Sequence, residues 1–204
     1  MIFEEKHLYH IYNQGNNRQR IFFTRDNYVF FLKKIRPYIL PYADILAWCL
    51  MPNHFHLMVS VTHQMSNSKM TRTFSDSIAI LLRSYTRAIN NQEIRTGALF
   101  KPHTQAVCLN ESKGITPAFF NTAFGTSLNV HITEKEYPQV CWNYIHNNPL
   151  SAGLVSRPED WEFSSYRDYF CGRNGKLINK DRAIELGLYS SGLYSSDGVF
   201  RCIL

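Results

Sequence analysis

Residues 43–61 read ADILAWCLMPNHFHLMVSV, and this stretch indicates how the chain folds. The first part, residues 43–50, is almost entirely apolar and is typical of a buried strand. Met51-Pro52-Asn53 supplies the residues of a tight connection,. Residues 54–61 then return as a partner strand, so the sequence predicts an antiparallel pair at the centre of a sheet.

The return strand carries two histidines with one bulky apolar residue between them. Side chains two apart point to the same side of a strand, so His54 and His56 share one face while Phe55 lies on the other,. Two imidazoles on one face can bind a metal ion, and a metal ion suits phosphate chemistry. Taken alone, the pair could equally be ordinary strand histidines.

The remaining pattern places further strands and helices around this pair. A strand is predicted at 7–13, followed by a helix at about 26–40 that Pro37 should bend or interrupt,. A second helix is predicted at about 73–93, where apolar residues recur at helical spacing, and a fourth strand within 98–108,. After irregular chain over 109–131, a third helix should start at Thr133 with a capping box to Glu136 and stop at about 147, before Pro149,. The order predicts an α+β fold of the ferredoxin-like or RRM-like kind. Its antiparallel sheet would carry helices on one face, plus an extra C-terminal helix.

Composition fits a globular protein with a polyanionic partner. The chain has 204 residues, 45% of them hydrophobic and 19% charged, with a formal net charge of +6,. No apolar run reaches the roughly 18 residues of a membrane helix, and the first residues show no secretory signal. Five scattered cysteines without a CxxC pair indicate free thiols,. We therefore expect a cytoplasmic protein.

The late helix contains a second candidate group of functional residues. Tyr144 and Asn148 are four residues apart and so share a helical face,. If that face meets the strand of His54 and His56, the two imidazoles and the Asn148 carbonyl could bind Mg²⁺ or Mn²⁺. The Tyr144 phenol could then be a nucleophile, since a nearby dication lowers its pKa. On periodicity alone, however, Tyr144 could belong to the core, and Asn148 before Pro149 could simply cap the helix.

These residues resemble a known family. MPNHFHLMV at 51–59 resembles the HUH motif of the IS200-like single-tyrosine transposases, and YIHNNPLSAGLV at 144–155 resembles the tyrosine-helix signature of their REP-associated branch. YHIYNQGN at 9–16 and WEFSSY at 161–166 are also similar. The resemblance covers roughly residues 7–170. It implies a transposase domain at 1–170 and a C-terminal extension of unknown role at 171–204.

The resemblance implies a metal-dependent endonuclease and strand transferase of single-stranded DNA, acting beside hairpins through a 5′-phosphotyrosine intermediate. It makes His54 and His56 metal ligands for Mg²⁺ or Mn²⁺ and Tyr144 the nucleophile. Asn148 falls where relatives have a polar ligand. The implied assembly is a monomer or a homodimer, and the resemblance leaves open whether the tyrosine helix serves its own subunit or a partner's.

Seven residues are candidates for DNA contact. The loop after the first strand falls where relatives contact single-stranded DNA, aromatic strand residues can stack on bases, and arginines can bind phosphates. The candidates are Tyr12, Asn13, Gly15, Asn16, Arg18, Arg83 and Arg87. Each has an ordinary alternative, namely sheet core for the aromatic residue and a solvated helix face for Arg83 and Arg87.

Two other classes of function compete with a transposase. The same layout serves RNA-binding modules that do not cut nucleic acid, and a domesticated transposase could bind without cutting. A zinc-dependent hydrolase is a third possibility, but it would need another strong ligand beside His54 and His56. A covalent protein–DNA adduct would distinguish the transposase from both.

Overall fold

The computed structural model describes residues 1–62, 72–110, 119–122, 125–128 and 137–189. The strands are β1 (Leu8–Gln14), β2 (Ala43–Met51), β3 (His54–Val61), β4 (Gln105–Cys108), β5 (Phe119–Thr122) and β6 (Gly125–Leu128). The helices are α1 (Arg25–Ile39), α2 (Phe74–Gln92), α3 (Tyr137–Ser151), α4 (Tyr166–Phe170) and α5 (Lys180–Glu185). Within these ranges, none of the helices combines the length and apolar character needed to cross a membrane.

The main sheet has the strand order β2-β3-β1-β4, and all its neighbours are antiparallel. This order, with α1 after β1 and α2 after β3, is the ferredoxin-like arrangement that the sequence predicts. β1 pairs with β3 over its full length, from Leu8 opposite Ser60 to Gln14 opposite His54. β1 also pairs with β4 on its other side, so it is a central strand.

Helices α1 and α2 cover one face of the sheet. Phe31 and Ile35 of α1 and Tyr85 of α2 are fully buried, and they pack with Ile11 of β1 and Phe55 of β3. Each large apolar side chain removed from water stabilises the fold by about 1.5–3 kcal/mol. These residues recur at the helical spacing on which the prediction of both helices depended,.

Helix α3 covers the opposite face, which is the face of the two histidines. Trp142 and Ile145 of α3 pack against Leu46 and Ala47 of β2 and Met58 of β3, all of them buried. β2 carries apolar side chains on both of its faces, and helices cover both faces of the sheet,. The helices predicted on one face of the sheet are therefore α1 and α2. The predicted extra helix is α3, and it lies on the other face.

Two details of the predicted elements are wrong. Helix α3, expected to stop before Pro149, continues through it to Ser151. Helix α1 is not interrupted at Pro37 and continues to Ile39, and a bend at Pro37 stays a prediction. Each proline lies near the C-terminal end of its helix, where it removes a single backbone donor. The stretch 109–131, expected to be irregular, contains the antiparallel pair of β5 and β6. The predicted capping box of Thr133 and Glu136 lies outside the described residues.

Residues 171–189 pack onto the edge of the sheet. The backbone N–H of Asn179 donates to the Ile45 carbonyl oxygen over 2.8 Å, and Ile178 forms a parallel β-bridge with Ile45. Leu188 is buried in the cluster beneath α3. The division of the chain into a domain and an extension at residue 170 stays a prediction.

An ion pair anchors the start of this segment. Asp168 is 2% exposed, and both its carboxylate oxygens accept from the Arg173 guanidinium over 2.7 Å. The same guanidinium donates to the backbone carbonyls of Glu162 and Ser164. A buried carboxylate that loses its cation keeps the full cost of desolvation, so Arg173 is needed wherever Asp168 stays charged.

We predict that Arg173→Met lowers the free energy of unfolding by about 3 kcal/mol, because it leaves the Asp168 carboxylate buried and unpaired. Urea unfolding measures the change. Arg25→Met is the matched control, since Arg25 pairs with Glu162 at the surface, where the side chains are 65% and 41% exposed. Its unfolding midpoint should hardly move. Equal effects of the two substitutions would contradict the assigned role of Arg173.

Candidate metal and nucleophile site

His54 and His56 lie on the α3 side of the sheet. β3 alternates its side chains, so Phe55 enters the core under α1 and α2 while the two imidazoles face α3,. Their ring centroids are 4.9 Å apart and the rings are nearly perpendicular, at 82°. His56 is 4% exposed, and His54 is half-buried. Both rings therefore lie close together and largely out of contact with solvent.

Helix α3 brings Tyr144 and Asn148 to the same place. The Asn148 Oδ1 atom lies 3.2 Å from His54 Nε2, and the Asn148 Nδ2 atom lies 3.5 Å from His56 Nε2. The Tyr144 ring centroid is 5.2 Å from that of His56, with the rings at 77°. The structure therefore brings together all four residues that the sequence proposed, and all four belong to one chain.

Burial keeps both histidines neutral. Removal from water lowers the pKa of His54 to about 4 and the pKa of His56 well below its ordinary value,. Neutral imidazoles keep the nitrogen lone pair with which histidine binds metals. The charge state of the pair therefore suits a metal site at neutral pH.

The hydrogen bonds around His54 also suit a cation. Its Nδ1 atom lies 2.6 Å from Asn53 Oδ1, so the ring proton belongs on Nδ1 and Nε2 carries a lone pair,. That lone pair faces the Asn148 carbonyl oxygen over 3.2 Å. A cation placed between these two atoms would be bound by both lone pairs. A divalent ion held by His54, His56 and the Asn148 oxygen fits this donor set, with positions left for water or phosphate.

A third strong ligand of the kind that zinc sites use is missing from the described residues. They contain no group of three His, Cys, Asp or Glu side chains placed to hold a metal. A structural or hydrolytic zinc site normally draws at least three ligands from these residue types. Among the described residues, the two imidazoles and the amide oxygen therefore fall short of the ligand set of such a zinc site,.

The phenol of Tyr144 is protonated in the absence of a cation. Burial raises its pKa to about 12, while a hydrogen bond with the Asn148 side chain lowers it by a smaller amount. Phenolate formation is therefore costly here unless a positive charge lies nearby. Tyr144 is half-buried rather than sealed in the core.

Two residues of this site were not found from the sequence. Asn53 orients His54, as described above. His10 of β1 is 9% exposed, and its Nε2 atom lies 2.9 Å from His56 Nδ1. The alternation of β1 places His10 and Tyr12 on the same side, but only the register of β1 against β3 shows that this is the side of His56. The Tyr12 ring is half-buried, with its centroid 5.9 Å from that of His56.

The loop candidates for DNA contact divide into structural and accessible residues. The buried Asn13 amide donates to the Lys101 carbonyl and the Thr104 hydroxyl, so it braces the neighbouring loop. Gly15 is buried, and a Cβ atom there would lie 2.1 Å from the Gln19 carbonyl oxygen. Asn16 is half-buried and Arg18 is exposed. Any DNA contact of Asn13 or Gly15 is thus limited to the shape they impose on the loop.

Arg83 and Arg87 are exposed and line a cavity of about 660 Å³ between α2 and the chain at 95–104. Arg95 and Lys101 line the same cavity. Its described lining residues include no carboxylate, so the four cations are not neutralised from within it. We call this cavity the basic groove. It lies beside the α1 and α2 layer, on the other side of the sheet from His54 and Tyr144.

Comparison with known proteins agrees with the fold and the histidine strand. Residues 4–116 match the family described as Transposase IS200 like. The match spans more than half of the chain, and the chain therefore belongs to the IS200-like transposase family. The matched residues include both histidines but end before α3, so the assignment of Tyr144 depends on the structure.

A solved structure of a REP-associated tyrosine transposase bound to a REP hairpin is similar in fold. The TM-score is 0.54 at 17% sequence identity, and the alignment covers 100% of this chain and 97% of that one. At this identity the likeness shows the fold alone. A search of curated proteins finds no match.

The buried His146 predicts how the stability of the protein depends on pH. Burial lowers its pKa to about 3, so between about pH 6.5 and 3 the unfolded chain binds a proton that the folded chain does not,. Stability should fall as pH falls through this range, by up to about 1.4 kcal/mol per pH unit from this group. Urea unfolding of the wild type and of His146→Phe measures the difference. The variant should show the shallower dependence, and equal slopes would contradict a neutral buried His146.

Proposed function

We propose that this protein is a metal-dependent single-stranded DNA endonuclease and strand transferase that acts through a 5′-phosphotyrosine intermediate. Membership of the transposase family supports DNA transposition as the overall process. The observation that carries the finer proposal is the approach of the Tyr144 ring to the His54 and His56 pair within one chain. A protein that only binds nucleic acid has no need of that convergence.

The proposed reaction assigns a step to each residue. His54, His56 and the Asn148 oxygen would hold Mg²⁺ or Mn²⁺, which when bound withdraws charge from a phosphate oxygen and favours the phenolate. The Tyr144 oxygen gives up its proton to water and attacks the phosphorus. A tyrosine–phosphate bond forms while the bond from phosphorus to the 3′ oxygen breaks. That oxygen takes up a proton, and the free 3′-hydroxyl can later reverse the step.

We further propose that the DNA backbone follows the basic groove. Arg83, Arg87, Arg95 and Lys101 offer four cations in one place, which suits the phosphates of a nucleic acid,. The similar structure is bound to a REP hairpin, which supports a hairpin-containing single strand as the substrate here. The exposed Arg18 and the half-buried Tyr12 would contact the strand near the cleaved phosphate. We expect this to take place in the cytoplasm, with a monomer or a homodimer as the acting unit.

The decisive test is the formation of a covalent adduct with a labelled DNA hairpin that carries a single-stranded flank. With Mn²⁺, the wild type should form an adduct that survives denaturation. Tyr144→Phe should abolish the adduct, because it removes the attacking oxygen. His54→Ala should reduce its rate by at least about 100-fold, because it removes a metal ligand.

Tyr137→Phe is the matched control, because it removes a half-buried phenol from the same helix. It should form the adduct at the wild-type rate. An adduct formed by Tyr144→Phe would contradict the nucleophile assignment. If the wild type binds hairpins tightly but forms no adduct with Mg²⁺ or Mn²⁺, the protein is a binding module and the catalytic proposal is wrong.

The basic groove predicts a salt effect on DNA binding. The double variant Arg83→Gln/Arg87→Gln should bind hairpin DNA more weakly, and the slope of log affinity against log salt should shrink by about 0.7–0.9 per lost phosphate contact. Fluorescence anisotropy over a range of salt concentrations measures both quantities. The matched control is Lys33→Gln/Arg36→Gln, which removes two exposed cations from α1. If both double variants change the slope equally, the groove has no special role in binding.

A further inference from the structure

His10 is a buried histidine for which the proposed reaction has no step. It lies in the central strand β1, where it is paired with Met58 of β3 and Val107 of β4. Its ring stacks on that of His56, with centroids 5.0 Å apart and an angle of 27°. Its Nε2 atom lies 2.9 Å from His56 Nδ1. This hydrogen bond is the closest polar contact of the His56 ring that the structure describes.

A neutral imidazole carries one N–H, and the position of that proton decides which nitrogen can bind a metal. For a ring that binds metal through Nε2, the proton must be on Nδ1 and must be donated to an acceptor. Asn53 Oδ1 is that acceptor for His54. The corresponding position beside His56 Nδ1 is occupied by His10 Nε2.

The other side of the His56 ring agrees with this arrangement. The Asn148 amide nitrogen approaches His56 Nε2 to 3.5 Å, and an amide nitrogen can only donate,. His56 Nε2 is therefore the acceptor, and its lone pair points to the place where the His54 and Asn148 atoms also converge. The opposite arrangement, in which His10 donates to His56 Nδ1, would put the His56 proton on Nε2 and set two donors against each other.

We propose that His10 is a positioning residue that accepts the Nδ1 proton of His56 and thereby keeps the Nε2 lone pair directed at the metal. Its place in a strand paired on both sides holds the acceptor still. The inference rests on the proposed metal site for its purpose. The position of the His56 proton, however, can be tested without any metal.

The first experiment is long-range ¹H–¹⁵N NMR of the histidine rings in the metal-free wild type at neutral pH. His56 should show a protonated Nδ1 and an unprotonated Nε2. In His10→Phe, which fills the same space without an acceptor, the protonated nitrogen should change or the two forms should mix. A wild-type His56 with its proton on Nε2 would overturn the proposal, whatever the protein binds.

The second experiment measures Mn²⁺ affinity by electron paramagnetic resonance. Outer hydrogen-bond partners of metal ligands typically contribute 10–100-fold to metal affinity, so His10→Phe should bind Mn²⁺ about 10–100-fold more weakly than the wild type. His10→Gln should bind within a few-fold of the wild type, because its amide oxygen can take the place of Nε2. His146→Phe is the matched control, since His146 is equally buried but donates or accepts at Ser165 instead. It should leave the affinity unchanged.

The outcomes separate this inference from the proposed function. No Mn²⁺ binding by the wild type would contradict the metal site, and the NMR result would still decide the role of His10. Wild-type binding with equal affinity in His10→Phe would contradict the role of His10 and leave the metal site intact. If His10→Phe does not fold, the wild-type NMR spectrum and the comparison of His10→Gln with the wild type still test the proposal. If His10→Gln keeps the wild-type position of the His56 proton but binds Mn²⁺ more weakly than the wild type, the proposal is overturned.

Discussion

The register between β1 and β3 is the constraint on which the site depends. Gln14 lies opposite His54 and Tyr12 opposite His56, so three side chains of β1, including His10, stand beside the histidine pair. A slip by one residue would turn His10 and Tyr12 toward α1 and α2 and bring Tyr9 and Ile11 to the histidine face. The apolar residues buried on each face of the sheet resist such a slip, because it would move them out of their own layer. The packing of the core thus determines the geometry of the site.

Covering both faces of the sheet also sets the electrostatics of the site. Helix α3 removes the histidines from water, and this burial lowers the pKa of His54 and His56 and raises the pKa of Tyr144. Each shift favours a neutral group, so none of these three residues carries a formal charge in the absence of a cation. A divalent cation entering such an environment interacts strongly with the lone pairs that face it, because the surroundings screen it poorly. The same helix that supplies the phenol therefore also raises its pKa, so that ionisation of the phenol in the proposed reaction would need a bound cation,.

The basic groove, where we propose that DNA binds, and the site of the proposed chemistry lie on different sides of the sheet. The basic groove is built from α2 and the loop that leads to β4, whereas His54 and Tyr144 lie beneath α3. The two regions are linked at the end of β1, where Asn13 braces the loop at 101–104 and the next residue, Gln14, lies opposite His54. A nucleic acid bound along the groove would therefore pass the end of β1 before it reaches the histidines. In this arrangement, a substrate held in the groove would not crowd the proposed reacting atoms.

The sequence by itself determined the order of the main elements and the pairing of His54 with His56, because strand and helix periodicity are local properties of neighbouring residues. It also placed Tyr144 and Asn148 on one helical face. It did not determine that α3 continues through Pro149, since packing of the helix outweighs one lost hydrogen bond. It did not identify His10 or Asn53 as partners of the histidine rings, because those contacts depend on strand register and on the turn before β3. Only the tertiary structure decided that the phenol and the imidazoles meet within one chain, since residues some ninety positions apart are brought together by the burial of α3 against β2 and β3 and not by any local preference.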